Sequence, residues 1–237
     1  MDLNIKLPNS ETFLVNLVLQ RTSPLLLLGY EEALNRWFNS GDTDDIKKLI
    51  NNKNFLKNYL NILLKEINNE VDELTKVFKN TKAKNLVSIG PGNGFIELIL
   101  TKRLDLDKVL LIDIENSKIH RHGFFNEGSG YAKLNETKSF FVNNGINENS
   151  LICCNPNKEK IPNFRTDILI SIFSMGFHYP CNDYVNFILE NTKKGSIICI
   201  DKRKEVNDRG FEKLSKYFKI SDSKNLSKHI RLLLSKI

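Results

Sequence analysis

"LVSIGPGNGF", Leu86 to Phe95, decides the fold. Its first half is an apolar run, and its second half places Gly90, Gly92 and Gly94 at alternate positions. Glycine enters left-handed φ at no steric cost and carries no side chain, so a strand that breaks into glycines lets backbone approach a ligand closely. Three ligand classes use such a turn. A P-loop requires G-x-x-x-x-G-K-[ST], whose lysine and hydroxyl handle phosphate and magnesium, and neither follows here. A dinucleotide fingerprint, as in an NAD-dependent reductase, requires a third glycine where this chain has Phe95. The register is G-x-G-x-G.

Downstream of this turn, strand and helix signals alternate. "NLVSIG", "KVLLIDIE", "SLICCN", "TDILISIFSM" and "SIICIDKR" read as buried strands. Helices are expected at "GFIELILTKRL", at "YAKLNETKSFFVNNG" closed by Gly145, and at "NDYVNFILENTKKG" closed by Gly195. Near-continuous apolar strands separated by helices imply a parallel sheet covered on both faces, with right-handed crossovers. After a helix at "RGFEKLSKYF", the segments "KISDSKN" and "HIRLLLSKI" read as two late strands forming an antiparallel hairpin.

Upstream, residues 1–80 read as helical. Ser10 with Glu11 starts one helix, "GYEEALNRWFNS" stops at Gly41, and "DTDDIKKLI" places acids before lysines as a helix dipole favours. A long amphipathic helix follows, with Leu56, Tyr59, Leu60, Leu63, Leu64 and Ile67 as its expected apolar stripe. The expected organisation is a helical cap or lid over residues 1–80 and a catalytic domain over 81–237.

The strand, G-x-G-x-G turn and helix resemble the class I S-adenosylmethionine-dependent methyltransferases. The resemblance covers residues 85–237 and not the helical cap. It implies an α/β fold with a doubly wound, mostly parallel seven-stranded Rossmann-like sheet, and S-adenosyl-L-methionine as cofactor. A tight glycine turn suits the cofactor's amino-acid end, whose carboxylate can use free N–H groups at a helix N-terminus. Pro91 fixes one backbone angle there and removes one donor. Asp113, at the end of the second strand and about twenty residues past the loop, matches the acid that accepts from both ribose hydroxyls, with Glu115 as second candidate. Cys154 or Asn155 is expected to face adenine, though Asn155 equally suits the start of an Asn-Pro turn. The implied cofactor contacts are Gly90, Pro91, Gly92, Asn93, Gly94, Asp113, Ile114, Asn155 and Ser174.

The acceptor should sit outside the carboxyl ends of the strands. "SMGFHYP", Ser174 to Pro180, puts His178 between Phe177 and Tyr179 where the family's motif after strand four meets the transferring methyl. Histidine is the natural base near neutral pH, and packing in an aromatic cluster is its alternative role. The loop after strand two, "HRHGFFNEGSGYAKL", offers Phe124, Tyr131 and Glu127 to the acceptor, or serves as a flap without contact. Arg203 in "IDKRK" matches an arginine that the resemblance places after strand five, where it would bind an anionic group on the acceptor or stand in a solvated loop. The implied acceptor is a small molecule, such as a sugar or other metabolite, methylated on oxygen or nitrogen.

Composition bounds the alternatives. With 41% hydrophobic and 27% charged residues the chain has neither a disordered nor a membrane composition, and "PLLLLGY" is too short to span a bilayer, so the expected place is the cytoplasm. The four cysteines lack paired C-x-x-C spacing; no metal site is expected, and they should be reduced packing residues. A net charge of +7 invites nucleic acid, but the excess is lysine scattered through an Asn- and Ile-rich chain. An RNA or protein methyltransferase is the second candidate; the [DN]-P-P-[FYW] that stacks on a flipped base is missing after strand four. A non-catalytic binding protein on the cofactor fold is the third. A homo-oligomer is compatible with all of them.

Overall fold

The computed structural model describes residues 5–115, 124–125, 130–204 and 206–237. Five α-helices come first: α1 Glu11–Gln20, α2 Ser23–Leu27, α3 Glu31–Ser40, α4 Asp44–Ile50 and α5 Lys53–Phe78. Ser10 caps α1 by accepting the Phe13 N–H at 3.2 Å, and α3 closes at Gly41, which has φ +75 and donates to the Trp37 carbonyl at 2.8 Å. The buried line of α5 is Phe55, Tyr59, Leu63, Ile67, Val71, Leu74 and Phe78. It is rotated from the expected stripe, so Leu56, Leu60 and Leu64 flank it half-buried. Tyr59, common to both lines, anchors the helix: its hydroxyl donates to the Leu17 and Arg21 carbonyls at 3.1 and 2.8 Å, tying α5 to the end of α1.

The alternating region gives β1 Asn85–Ile89, α6 Phe95–Leu104, β2 Lys108–Ile112, α7 Leu134–Asn143, β3 Leu151–Cys154 and β4 Thr166–Ser171. Then come α8 Val185–Asn191, β5 Thr192–Arg203, α9 Arg209–Leu214, β6 Phe218–Asn225 and β7 His229–Lys236. The seven strands lie in the order β3-β2-β1-β4-β5-β7-β6. The first five are parallel, and β7 runs antiparallel to both β5 and β6. This is the expected doubly wound sheet with its terminal hairpin.

Alternate residues along each central strand enter different cores. Leu86, Val109, Leu111, Ile168 and Ile170 join one cluster with α1, α5, α6 and α7, while Val87, Ile89, Leu110, Ile112 and Leu169 join the other with α8 and α9. The N-terminal helices thus share a core with one sheet face; Phe13 of α1 packs at 5.3 Å from Phe140 of α7. Cys153 and Cys154 likewise divide between the two clusters, and all four cysteines are free. Among the described residues no helix is long and apolar enough to cross a membrane.

Several boundaries moved. The helix expected up to Gly195 stops at Asn191, because the Thr192 hydroxyl turns back to the Ile188 carbonyl at 2.6 Å and Thr192 already pairs with Thr166. "TKKG" then forms an irregularity in β5, with Gly195 at φ +90. Strands β2 and β4 end at Ile112 and Ser171, earlier than their apolar runs suggest, which frees the residues beyond for the site.

Candidate cofactor and acceptor site

The strand order reverses between β1 and β4, and in open α/β sheets ligands bind at that switch point, beyond the carboxyl ends of the strands. The glycine loop stands there. Gly90, Gly92 and Gly94 have φ of +71, +58 and +75. A Cβ would come within 1.8 Å of Ser174 Oγ at Gly90, 2.4 Å of Gln20 Oε1 at Gly92 and 2.7 Å of the Phe141 ring at Gly94. Backbone angle and close approach therefore both require glycine at these positions. The Gly90 N–H donates to the Ile112 carbonyl at 2.7 Å and fixes the loop to the end of β2.

Asp113 follows β2 directly. Its Oδ1 accepts the Glu115 N–H at 2.8 Å and its Oδ2 accepts the Gly92 N–H at 3.3 Å. Burial pushes this carboxyl up to about 6 despite those bonds. Each oxygen keeps a further lone pair for a hydroxyl donor.

A cavity of about 430 Å³ opens in front of the loop. Gly90, Pro91, Gly92, Asp113, Ile114 and Ser174 line it, together with Tyr131, Phe177, His178 and Tyr179. The segment that carries His178 is tightly wound: Gly176 has φ +85, and the His178 N–H donates to the Ser174 carbonyl at 2.8 Å. The His178 ring meets Phe177 edge-on at 4.7 Å. Tyr179 Oη lies 2.9 Å from Ser174 Oγ, and burial holds its phenol well above the usual range.

Other residues singled out in the sequence stand apart from this cavity. Asn93 is buried with its amide on the Phe13 carbonyl at 2.9 Å. Gly94 borders a water-sized void of about 40 Å³ behind the loop, beside Glu97. Asn155 donates to Glu115 Oε2 at 2.8 Å, and its Oδ1 accepts the Asn157 N–H at 3.0 Å, as an Asn-Pro turn requires. Glu115 is thereby occupied by Asn155 and by Lys158 at 2.6 Å. The Arg203 guanidinium lies over the Phe177 ring, 5.0 Å from its centroid, and supports the wall from outside. Phe124 is half-buried outside the wall, its neighbour Phe125 donating its N–H to the His178 carbonyl at 2.8 Å. Glu127 lies outside the described residues.

The N-terminal helices supply residues that the sequence did not point to. Gln20 and Arg21, at the end of α1, and Trp37 and Phe38 of α3 all line the cavity. Gln20 Oε1 accepts the Asn93 N–H at 3.0 Å, and its Nε2 donates to the Tyr131 carbonyl at 2.6 Å. From across the sheet come Phe173 and Lys228. Behind them, Arg231 joins Asp201 at 2.7 Å to Glu70 of α5 at 2.5 Å, and Glu70 also holds Arg21 at 3.1 Å. Among the described residues no group of His, Cys, Asp and Glu is arranged to hold a metal ion.

No family model matches the chain, and no curated relative does. Solved structures do. The StiE O-MT, residues 961–1257 of that protein, superposes with a TM-score of 0.51 at 12% identity, covering 71% of this chain and 73% of that one. A putative methylase from Haemophilus influenzae gives 0.50 at 11% identity, covering 70% and 88%. The fold is the Rossmann-like methyltransferase fold. A putative type 11 methyltransferase from Sulfolobus solfataricus is similar over 70% of this chain and 90% of its own, with 17% identity and a TM-score of 0.47.

Proposed function

We infer that the chain is an S-adenosylmethionine-dependent methyltransferase acting on an oxygen or nitrogen of a small molecule. One observation carries this reading: two left-handed glycines, Gly90 and Gly92, and the Asp113 carboxylate border a cavity that His178 also lines. The donor set fits the cofactor. Asp113 has acceptor capacity for a ribose diol, and the glycine positions carry no side chain where the ligand would approach.

When bound, S-adenosylmethionine supplies a methyl group activated by its sulfonium, which leaves the protein to position and deprotonate the acceptor. The turn after α1 and the aromatic residues of α3 narrow the mouth and keep water from the reacting atoms; in this role the N-terminal helices act as a lid. His178 is the base. An imidazole nitrogen accepts the proton that the acceptor's O–H or N–H loses, while Phe177 holds the ring edge-on. Tyr179 and Ser174, hydrogen-bonded to each other, bound the path between the loop and the base.

Calorimetric titration with S-adenosylmethionine and with S-adenosylhomocysteine tests this directly. Saturable heat with both is expected, and its loss in Asp113→Ala. A wild-type protein that gives no heat with either ligand is not a methyltransferase.

A further inference from the structure

Phe173 stands at φ +52, in the left-handed region that an aromatic residue occupies only at a cost. It lies two residues past the end of β4, lines the cavity and remains 39% exposed. Its backbone is held by the Asp201 carboxylate, which accepts the Phe173 N–H at 3.3 Å. The ring meets Phe177 at 5.2 Å and His229 at 4.9 Å, both edge-on, and the Arg21 guanidinium lies 5.6 Å from its centroid. A ring kept this open in a strained backbone is poorly explained by core filling. Strain of this kind persists where the surroundings over-determine it, commonly at ligand clamps.

Other aromatic side chains line the same cavity. Trp37, Phe38 and Phe177 share its wall. Among the described lining residues the cations are Arg21 and Lys228 and the acid is Asp113, beside the glycine loop. Arg21 is already paired with Glu70 at 3.1 Å. Lys228 is exposed and, among the described residues, is in no ion pair.

We propose that the methyl acceptor is a planar aromatic or conjugated compound bearing an anionic group, its ring stacked on Phe173 and its anion met by Lys228. The assignment rests on the methyltransferase reading above and names its substrate class. A neutral sugar would leave Lys228 without a counter-charge. A nucleic-acid strand would need a row of cations to follow its phosphates, and this mouth offers Lys228 as its single unpaired cation among the described residues.

The experiment is calorimetry on the full chain, first titrated with S-adenosylhomocysteine and then, saturated with it, with hydroxynaphthoate, naphthol, adipate and a single-stranded oligoribonucleotide. Hydroxynaphthoate is expected to bind about threefold more tightly than naphthol, the size of one exposed ion pair, and adipate should give no heat. Phe173→Leu keeps the backbone strain and the fold, so it should retain S-adenosylhomocysteine binding while weakening both ring compounds about tenfold. Lys228→Met should remove only the preference for hydroxynaphthoate over naphthol. Adipate binding as well as hydroxynaphthoate, no heat with hydroxynaphthoate, or unchanged ring affinity in Phe173→Leu each overturns the aromatic-anion assignment. So does tighter binding of the oligoribonucleotide. Failure of S-adenosylhomocysteine to bind the wild type overturns this assignment and the methyltransferase reading together, whereas heat in that first titration leaves only the assignment at stake.

Discussion

Gln20 Oε1 accepts the Asn93 backbone N–H at 3.0 Å, although the two residues are 73 positions apart. The same amide donates to the Tyr131 carbonyl at 2.6 Å, so one side chain from α1 joins the glycine loop to the segment that precedes α7. Removing it frees a loop N–H and unties both segments. Gln20→Ala should therefore weaken S-adenosylhomocysteine binding by about tenfold, the worth of one to two net hydrogen bonds, and lower Tm by a few degrees. Calorimetry with unaltered affinity would show that the loop holds its shape without this tether.

Local signals and long-range contacts fared differently in the sequence. The alternation from Leu86 to Arg203 was legible because each strand is apolar on both faces and each glycine answers a local demand: Gly90 the turn after β1, Gly41 the end of α3. The position of Asp113 beside the glycine loop was legible because it depends on one strand end. Gln20, Phe173 and Lys228 were not, since they reach the cavity from three distant elements and none sits in a motif. Phe173 was hidden inside an apolar run that reads as strand, and only its positive φ marks where β4 has ended. Arg203 and Asn155 carried local patterns that also fit structural roles, and both hold other residues in place.

Cofactor affinity should depend on pH through Asp113. Burial raises this carboxyl to about 6, and only its ionised form accepts from both hydroxyls of a diol. Binding should be strongest above that pH and fall toward tenfold per unit below it, provided the bound complex keeps the carboxylate ionised. Asp113→Asn should bind weakly and lose this dependence. The measurement is Kd for S-adenosylhomocysteine between pH 5 and 8; a wild-type profile flat across pH 6 contradicts the assignment.

His178 has a separable role. It lines the cavity without touching the glycine loop's hydrogen bonds, so His178→Ala should leave S-adenosylmethionine affinity intact. Methyl transfer to an accepted acceptor should slow by about two to four orders of magnitude, the usual contribution of a positioned base. Single-turnover rates separate this from binding, and an unchanged rate would reduce His178 to a packing residue of the Phe177 cluster.

The buried chain Asp201, Arg231, Glu70 and Arg21 ties β5 and β7 to α5 and α1. Arg231 is its centre, and replacing it by Met leaves the fully buried Asp201 carboxylate without its arginine, while Glu70 keeps Arg21. Arg231→Met should cost about 3–5 kcal/mol in chemical denaturation, the range for breaking one partner out of a buried pair. Because Asp201 also accepts the Phe173 N–H, the variant should in addition lose affinity for ring compounds at temperatures where it remains folded.

Glu97 gives stability its own pH dependence. It is buried on α6 behind the glycine loop, where it accepts from the Ser88 hydroxyl at 2.7 Å. Burial pushes it from 4.5 up to about 7, so the folded protein holds this proton more tightly than the unfolded chain does. The unfolded state then binds fewer protons between pH 4.5 and 7, and the stability Glu97 contributes is full below the lower value and lost as pH rises through the upper one. The loss amounts to about 3 kcal/mol on the scale of 1.4 kcal/mol per pKa unit. Glu97→Gln keeps the shape and an oxygen to accept from Ser88 while removing the titration. Its denaturation midpoint should exceed that of the wild type at pH 8 and approach it at pH 5, and parallel curves for the two proteins across this range would exclude Glu97 as the titrating group.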